Sequence, residues 1–297
     1  MTMPAQPIIS IALSMHNAAM TIDCAVSSLL LQTCTDWELL LFDDGSSDDG
    51  VDRVQRFADA RIRIVSDGRR LGLAARLNQA IDLARGRFFA RVDADDIAYP
   101  ERLERQLAFL QANPEVDLLG SGMMVHADDG RPIGLYPVRE NHAEICGRPY
   151  AGFYLAHPTW MGKTQWFRGW RYDPTCRRAQ DQDLLLRSYA HSKFAVLPEP
   201  LAGYRQDALS VQKSLVGRYF FARAIARVAW RDHDYAAGAA AVALQAAKFA
   251  ADALAISSGL SRRLLPHQAV PFTETEAARW HDVWRSCHQS PDPSCAA

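Results

Sequence analysis

Short apolar runs and helical stretches take turns along the first part of the chain. Residues 8–13, 37–42, 62–65 and 88–92 are mostly apolar and partly β-branched. Runs this short read as strands buried on both faces. Between them, residues 21–31, a stretch opened by Ser46 or Ser47, and residues 73–84 show helical spacing. Ser47 or Ser46 suits an N-cap with Asp48 and Asp49 in the first turn, and Gly86 suits a C-cap. Residues 100–112 predict another helix, with Pro100 in its first turn. Strand and helix alternating in this way predict a parallel sheet with right-handed crossovers. Such sheets bind ligands beyond the carboxyl ends of their strands. Two acidic clusters, Asp43-Asp44 and Asp93-Ala94-Asp95-Asp96, follow directly on the second and fourth apolar runs.

Farther along, residues 117–125 predict a strand, and Asp128-Asp129-Gly130 a hairpin turn in a polar stretch at 126–150. Residues 151–172 are dense in aromatics, 181–190 look helical, and 194–197 look like a strand ended by Pro198 and Pro200. The pattern then turns helical at 216–230 and 236–256, and a last helix carries Trp280 and Trp284. From Pro266 the chain is polar, and it frays at 290–293. There is no internal repeat.

The 297 residues are 48% hydrophobic and 23% charged, a balance that supports a soluble globular core. The net charge of -1 provides no basic field, so nucleic acid is not expected as a partner. Six scattered cysteines include no C-x-x-C pair, which argues for free thiols. The N-terminus shows no basic region leading into an apolar run, and no window reaches ~18 uninterrupted apolar residues. The expected location is therefore the cytoplasm.

The two acidic clusters carry the candidate chemistry. In extended backbone, positions i and i+2 face the same side, so Asp93 and Asp95 can present two carboxylates together. Hard divalent cations take oxygen ligands, and Mg²⁺ commonly takes one or two protein carboxylates plus phosphate oxygens. Asp43 and Asp44 can accept hydrogen bonds from a base or ribose hydroxyls, although the same residues also suit an ordinary capped turn. Neither a G-x-G-x-x-G nor a P-loop pattern is present. A hydrophobic strand ending in D-x-D also fits a haloacid-type phosphatase with Asp93 as nucleophile and Asp95 as acid.

Taken in order, the motifs resemble family 2 glycosyltransferases of the GT-A fold. They comprise Phe42-Asp43-Asp44-Gly45-Ser46-Ser47-Asp48, Gly72-Leu73-Ala74-Ala75-Arg76-Leu77-Asn78, Ala84-Arg85-Gly86 and Ala90-Arg91-Val92-Asp93-Ala94-Asp95-Asp96-Ile97. Pro100-Glu101-Arg102-Leu103 and Gln106 continue the match, followed by Asp181-Gln182-Asp183-Leu184-Leu185-Leu186-Arg187, Leu197-Pro198-Glu199-Pro200-Leu201 and Tyr204-Arg205. The resemblance covers roughly residues 7–206. It implies a Rossmann-like, mostly parallel sheet flanked by helices over residues 1–206, with a helical C-terminal extension over 207–297. It further implies inverting transfer from a nucleotide-diphospho-sugar, UDP-sugar foremost, to a sugar or lipid-linked hydroxyl acceptor in bacterial surface polysaccharide or glycolipid synthesis.

In that resemblance Asp181 is the general base. Asp95, with a divalent metal (Mn or Mg), acts on the diphosphate, and His157 is a second metal candidate. Ser14, His16, Asn17, Asp43, Asp44, Arg70, Gly72, Asn78, Asp93 and Ala94 fall to donor binding. The chain departs from the family pattern in three places. Gln180 stands for a Glu before the base, Leu185 for a Trp, and Ser14-Met15-His16-Asn17 lacks the usual Pro and Tyr. These departures keep a non-catalytic sugar-nucleotide-binding protein in view. Arg218, Arg223, Arg227 and Arg231 recur near one helical face, read as a solvated cationic face. The C-terminal helices are further candidates for peripheral membrane contact or a homodimer.

Overall fold

The structure, a computed structural model, describes residues 6–206, 211–258 and 270–289. In chain order the first elements are β1 (Ile9–Met15), α1 (Ile22–Leu30), β2 (Trp37–Asp43), α2 (Gly50–Gln55), β3 (Ile62–Ser66), α3 (Leu73–Leu83) and β4 (Phe88–Asp93). The four strands pair in parallel in the order β3-β2-β1-β4. Almost every side chain of β1, β2 and β4 is buried, because helices cover both faces of the sheet. This is why these strands read as continuous apolar runs.

Next come β5 (Ile97–Ala98), α4 (Arg102–Ala112), β6 (Leu118–His126), β7 (Pro132–Leu135), α5 (His142–Cys146), β8 (Met161–Lys163), α6 (Thr164–Gly169), α7 (Gln180–Ser188) and β9 (Phe194–Arg205). They extend the same sheet beyond β4 in the order β8-β6-β9-β5, with β7 as a hairpin partner of β6. β5, β7 and β8 are antiparallel to their neighbours, so the sheet is mixed. These three are too short to show a period in the sequence. β8 emerges from the aromatic stretch, where Trp160 and Trp166 are buried in the core.

Three local expectations are corrected. β9 does not stop before the prolines: it continues through Pro198 and Pro200 to Arg205. Its register against β6 shifts there, from Ser121 opposite Leu197 to Gly122 opposite Pro200. A bulge tolerates prolines that a regular ladder would not. Neither Ser46 nor Ser47 caps α2, whose N-cap is Asp49. Instead Ser46 Oγ accepts from Asn17 N at 3.0 Å and Ser47 N donates to Asn17 Oδ1 at 2.8 Å, tying this loop to the one after β1. α3 ends at Ala84 rather than at Gly86. Gly86 is pressed on β1, where a Cβ would come within 2.5 Å of Ser10 N.

Beyond β9 the described chain is helical: α8 (Val211–Arg231), α9 (Tyr235–Ser257) and α10 (Glu274–His288). The α8 arginines do not form a free cationic face. Arg218 pairs with Asp252 at 2.6 Å, Arg223 donates to Thr175 Oγ1 at 3.1 Å, Arg227 pairs with Asp173 at 3.0 Å, and Arg231 with Asp232 at 2.6 Å. Among the described residues no helix is long and apolar enough to cross a membrane. The polar segments at 266–269 and 290–293 lie outside the described residues.

Candidate functional site

Parallel register brings three strand ends together. Met15 lies opposite Asp43, and Ser14 opposite Asp93. A cavity of about 300 Å³ opens at this edge. Ser14, His16 and Asn17 line it from β1, Asp44 from β2, Asp93, Ala94 and Asp95 from β4, and Arg205 from β9.

Local hydrogen bonds order the rim. His16 Nδ1 is 3.0 Å from the Asp44 carbonyl oxygen. Asn17 takes a left-handed φ of 51°, which a short polar side chain bonded to the neighbouring loop tolerates. Asp43 lies behind the cavity, where its carboxylate accepts from Ser46 N at 2.9 Å and Ser66 Oγ at 2.7 Å. Burial pushes its pKa up, but the bonds from Ser46 and Ser66 outweigh it and hold the carboxyl below its ordinary value. Asp44 accepts from Leu71 N at 2.7 Å, Gly72 N at 3.0 Å and Arg76 Nε at 3.0 Å. Gly72 has φ +87°, a conformation that only glycine adopts without strain. Arg70 is exposed on that same loop. Asn78 faces away toward Tyr172, donating to its carbonyl at 2.9 Å and accepting from its N at 3.1 Å.

The acidic end is built around two arginines. Arg91 is buried in β4 two residues before Asp93, on the same face, and the two form an ion pair. Burial lowers the pKa of the guanidinium, while Tyr172, Asp96, Asp181 and Asp95 act in the opposite direction. Arg91 therefore sits within the fields of both the Asp95-Asp96 loop and Asp181. Arg205 Nη2 lies 3.5 Å from Asp95, and Arg205 N donates to Asp96 Oδ1 at 3.4 Å. Asp96 is buried, and burial followed by repulsion from Asp95 raises its pKa to about 7.

Asp181 lies in the first turn of α7, partly buried and outside the residues that line the cavity. Burial raises its pKa, opposed by hydrogen bonds involving Gln182 and by the charge of Arg91. His157 is buried, with Nε2 2.8 Å from the Tyr172 hydroxyl and its ring edge-on to Trp160 at 4.5 Å. Burial, then Arg91, keeps its pKa well below the ordinary value, so the imidazole is neutral. Among the described residues no three or more His, Cys, Asp or Glu side chains converge as a metal cage.

Arg91 is the residue that motif reading passed over. Its signal was a lone cation inside an otherwise apolar strand, where a buried charge requires a partner. The contact of Arg205 with Asp95 spans 110 positions and has no local signal.

Comparison with known proteins gives the chain its relatives. EpsE of Bacillus subtilis (strain 168), a protein named as a glycosyltransferase, is 32% identical over 211 residues, covering 68% of this chain and 74% of its own length. The O-antigen biosynthesis glycosyltransferase WbnJ of Escherichia coli is 28% identical over 219 residues, or 71% of this chain and 84% of WbnJ. The crystal structure of S. aureus TarS 1-349 in complex with UDP superposes with a TM-score of 0.57 at 20% identity, covering 73% of this chain and 65% of that one. The same protein in complex with UDP-GlcNAc gives a TM-score of 0.58 at 17% identity, over 95% and 80% of the two chains. The mixed sheet with flanking helices is thus the GT-A-type fold that the motifs implied. Residues 10–188 match the description Glycosyl transferase family 2. The chain is an enzyme of that family, which sets aside the haloacid-type phosphatase and the non-catalytic binder, and it belongs to the family 2 glycosyltransferases.

Proposed function

We propose that the chain transfers a sugar, with inversion, from a nucleotide-diphospho-sugar to a hydroxyl group of a sugar or lipid-linked acceptor. The observation that carries this reading is the cavity at the ends of β1, β2 and β4. There Asp44, Asp93 and Asp95 stand opposite Arg205 in a space of about 300 Å³. One relative named for UDP-glucose chemistry, WfgD of Escherichia coli, and a neighbour crystallised with UDP favour a UDP-sugar as the donor.

In this reading the β1 and β2 loops, ordered by Asn17 and Asp43, receive the nucleoside. Asp93 and Asp95 receive the diphosphate end. Two carboxylates lining one cavity fit a hard divalent cation whose remaining ligands are phosphate oxygens. When bound, such a cation supplies charge compensation to the leaving diphosphate. Arg205 adds a fixed positive charge at the same end. The Tyr172 hydroxyl engages Nε2 of His157, so the metal reading leans on Asp95 and Asp93 more than on His157. Asp181 takes the proton of the acceptor hydroxyl as its oxygen attacks the anomeric carbon from the face opposite the diphosphate. Burial favours this role, because a carboxylate of raised pKa is a stronger base.

A transfer assay with UDP-, GDP- and dTDP-sugars, Mn²⁺ and a panel of acceptors tests the reading. Loss of a general base commonly costs roughly 10²–10⁴ in rate, and Asp181→Asn is expected to lower kcat within that range while donor affinity is retained. Turnover of Asp181→Asn equal to that of the wild type contradicts the assignment.

A further inference from the structure

Helix α10 returns to the catalytic sheet after the α8 and α9 helices. It opens on a full capping box, with Thr273 Oγ1 accepting from Glu276 N at 3.2 Å and the Glu276 carboxylate accepting from Thr273 N at 2.7 Å. Trp280 is wholly buried, and its Nε1–H donates to the Gly130 carbonyl at 2.7 Å. Its ring stacks on His126 at 4.7 Å and lies 6.0 Å from Tyr99. The ring also covers Gly203 so closely that any Cβ there would overlap it. Arg279 pairs with Glu101 and sits 5.0 Å over the Tyr99 ring. Ile97, Tyr99, Met124, Trp280 and Val283 close into one apolar cluster.

That cluster underlies the acidic end of the cavity. His126 and Arg205 are register partners on β6 and β9, and Gln206 N donates to the His126 carbonyl at 3.0 Å. Arg205 spans from Asp128 at 3.3 Å to Asp95 at 3.5 Å. Arg205 Nε, His126 Nε2 and Asp96 Oδ2 are buried with no hydrogen-bond partner. These three atoms make no hydrogen bond to one another, so packing, together with the Arg205 ion pairs, fixes how the group sits. Trp280, stacked on His126 at 4.7 Å, and Trp284, edge-on to it at 5.1 Å, supply that packing.

We infer that α10, acting through Trp280, positions Arg205 and Asp95 for the donor, so that part of the 207–297 segment completes the catalytic unit. The inference rests on the reading of the cavity as the donor site. Trp280 touches no substrate and is a positioning residue.

The test compares the full chain with Trp280→Phe and Trp280→Ala in two measurements. In hydrogen exchange, Trp280→Ala is expected to speed exchange at 93–99 and 201–206 while β1–β3 keep their protection, and Trp280→Phe to restore the wild-type pattern. In calorimetry with UDP and Mn²⁺, Trp280→Ala is expected to weaken binding about tenfold, as loss of a supporting residue behind a ligand commonly does, with Trp280→Phe close to wild type. Gly203→Ala, which displaces the ring from the other side, is expected to reproduce the Trp280→Ala pattern. A Trp280 that merely stabilises the fold lowers Tm in Trp280→Ala and leaves both the local exchange pattern and the UDP affinity of the folded protein unchanged; that result overturns the inference. A wild type that binds no UDP contradicts the donor reading instead, and the exchange pattern alone then decides for or against the role of Trp280.

Discussion

Asp181 and Arg91 are joined by charge rather than by sequence. Asp181 is pushed toward its protonated form by burial and held back by hydrogen bonds and by Arg91. In its proposed role as the base Asp181 must be ionised, so transfer is expected to be lost as pH falls through its pKa. The acidic limb of the kcat/KM profile is expected above the ordinary carboxylate value of about 4. Arg91→Met removes a cation that lowers this pKa and is expected to move the limb further up. Tyr136, Tyr172 and Cys176 also face Asp181, and they are neutral in this range because burial raises their pKa values. A limb at the ordinary carboxylate position in the wild type, or one unmoved in Arg91→Met, contradicts this picture. Asp93, Asp95 and Asp44 were legible as candidates because they directly follow apolar runs. Their partners were not, since Arg76 holds Asp44 across a helix and Arg205 reaches Asp95 from the far end of the sheet.

The elements legible in the sequence are those with a period. β1 to β4 and α1, α3 and α4 fall within a residue or two of their apolar patterns. β5, β7 and β8 are set by partners elsewhere in the sheet, and β9 hides behind two prolines that its bulge absorbs. Gly86 shows how a residue suited to one role serves another. Its lack of a side chain allows β1 and the turn before β4 to meet, with Gly86 N donating to Ser10 Oγ at 2.8 Å. A methyl group there meets backbone atoms, which cannot swing aside. Gly86→Ala is expected to destabilise the fold by about 1–3 kcal/mol, as overpacking does, visible as a lower midpoint in urea. An unchanged midpoint would show that β1 and β4 have room to part.

At the scale of the whole molecule, topology does what no single motif does. Parallel register places the ends of β1, β2 and β4 side by side, and β9, which runs parallel to them in the mixed half of the sheet, delivers Arg205 to the same cavity. The near-neutral net charge of -1 provides no long-range field for an anionic donor, and three aspartates against one arginine line the cavity, so in the proposed reading the diphosphate is held through a divalent cation. The C-terminal helices carried a periodic pattern but no sign of where they dock, because docking depends on shape. The most direct measurement is calorimetric titration of UDP into the full chain, with and without Mn²⁺, beside Asp95→Asn. Metal-dependent binding in the wild type that is abolished or strongly weakened in Asp95→Asn is the predicted result; no UDP binding, or equal binding in both proteins, would contradict the placement of the donor in this cavity.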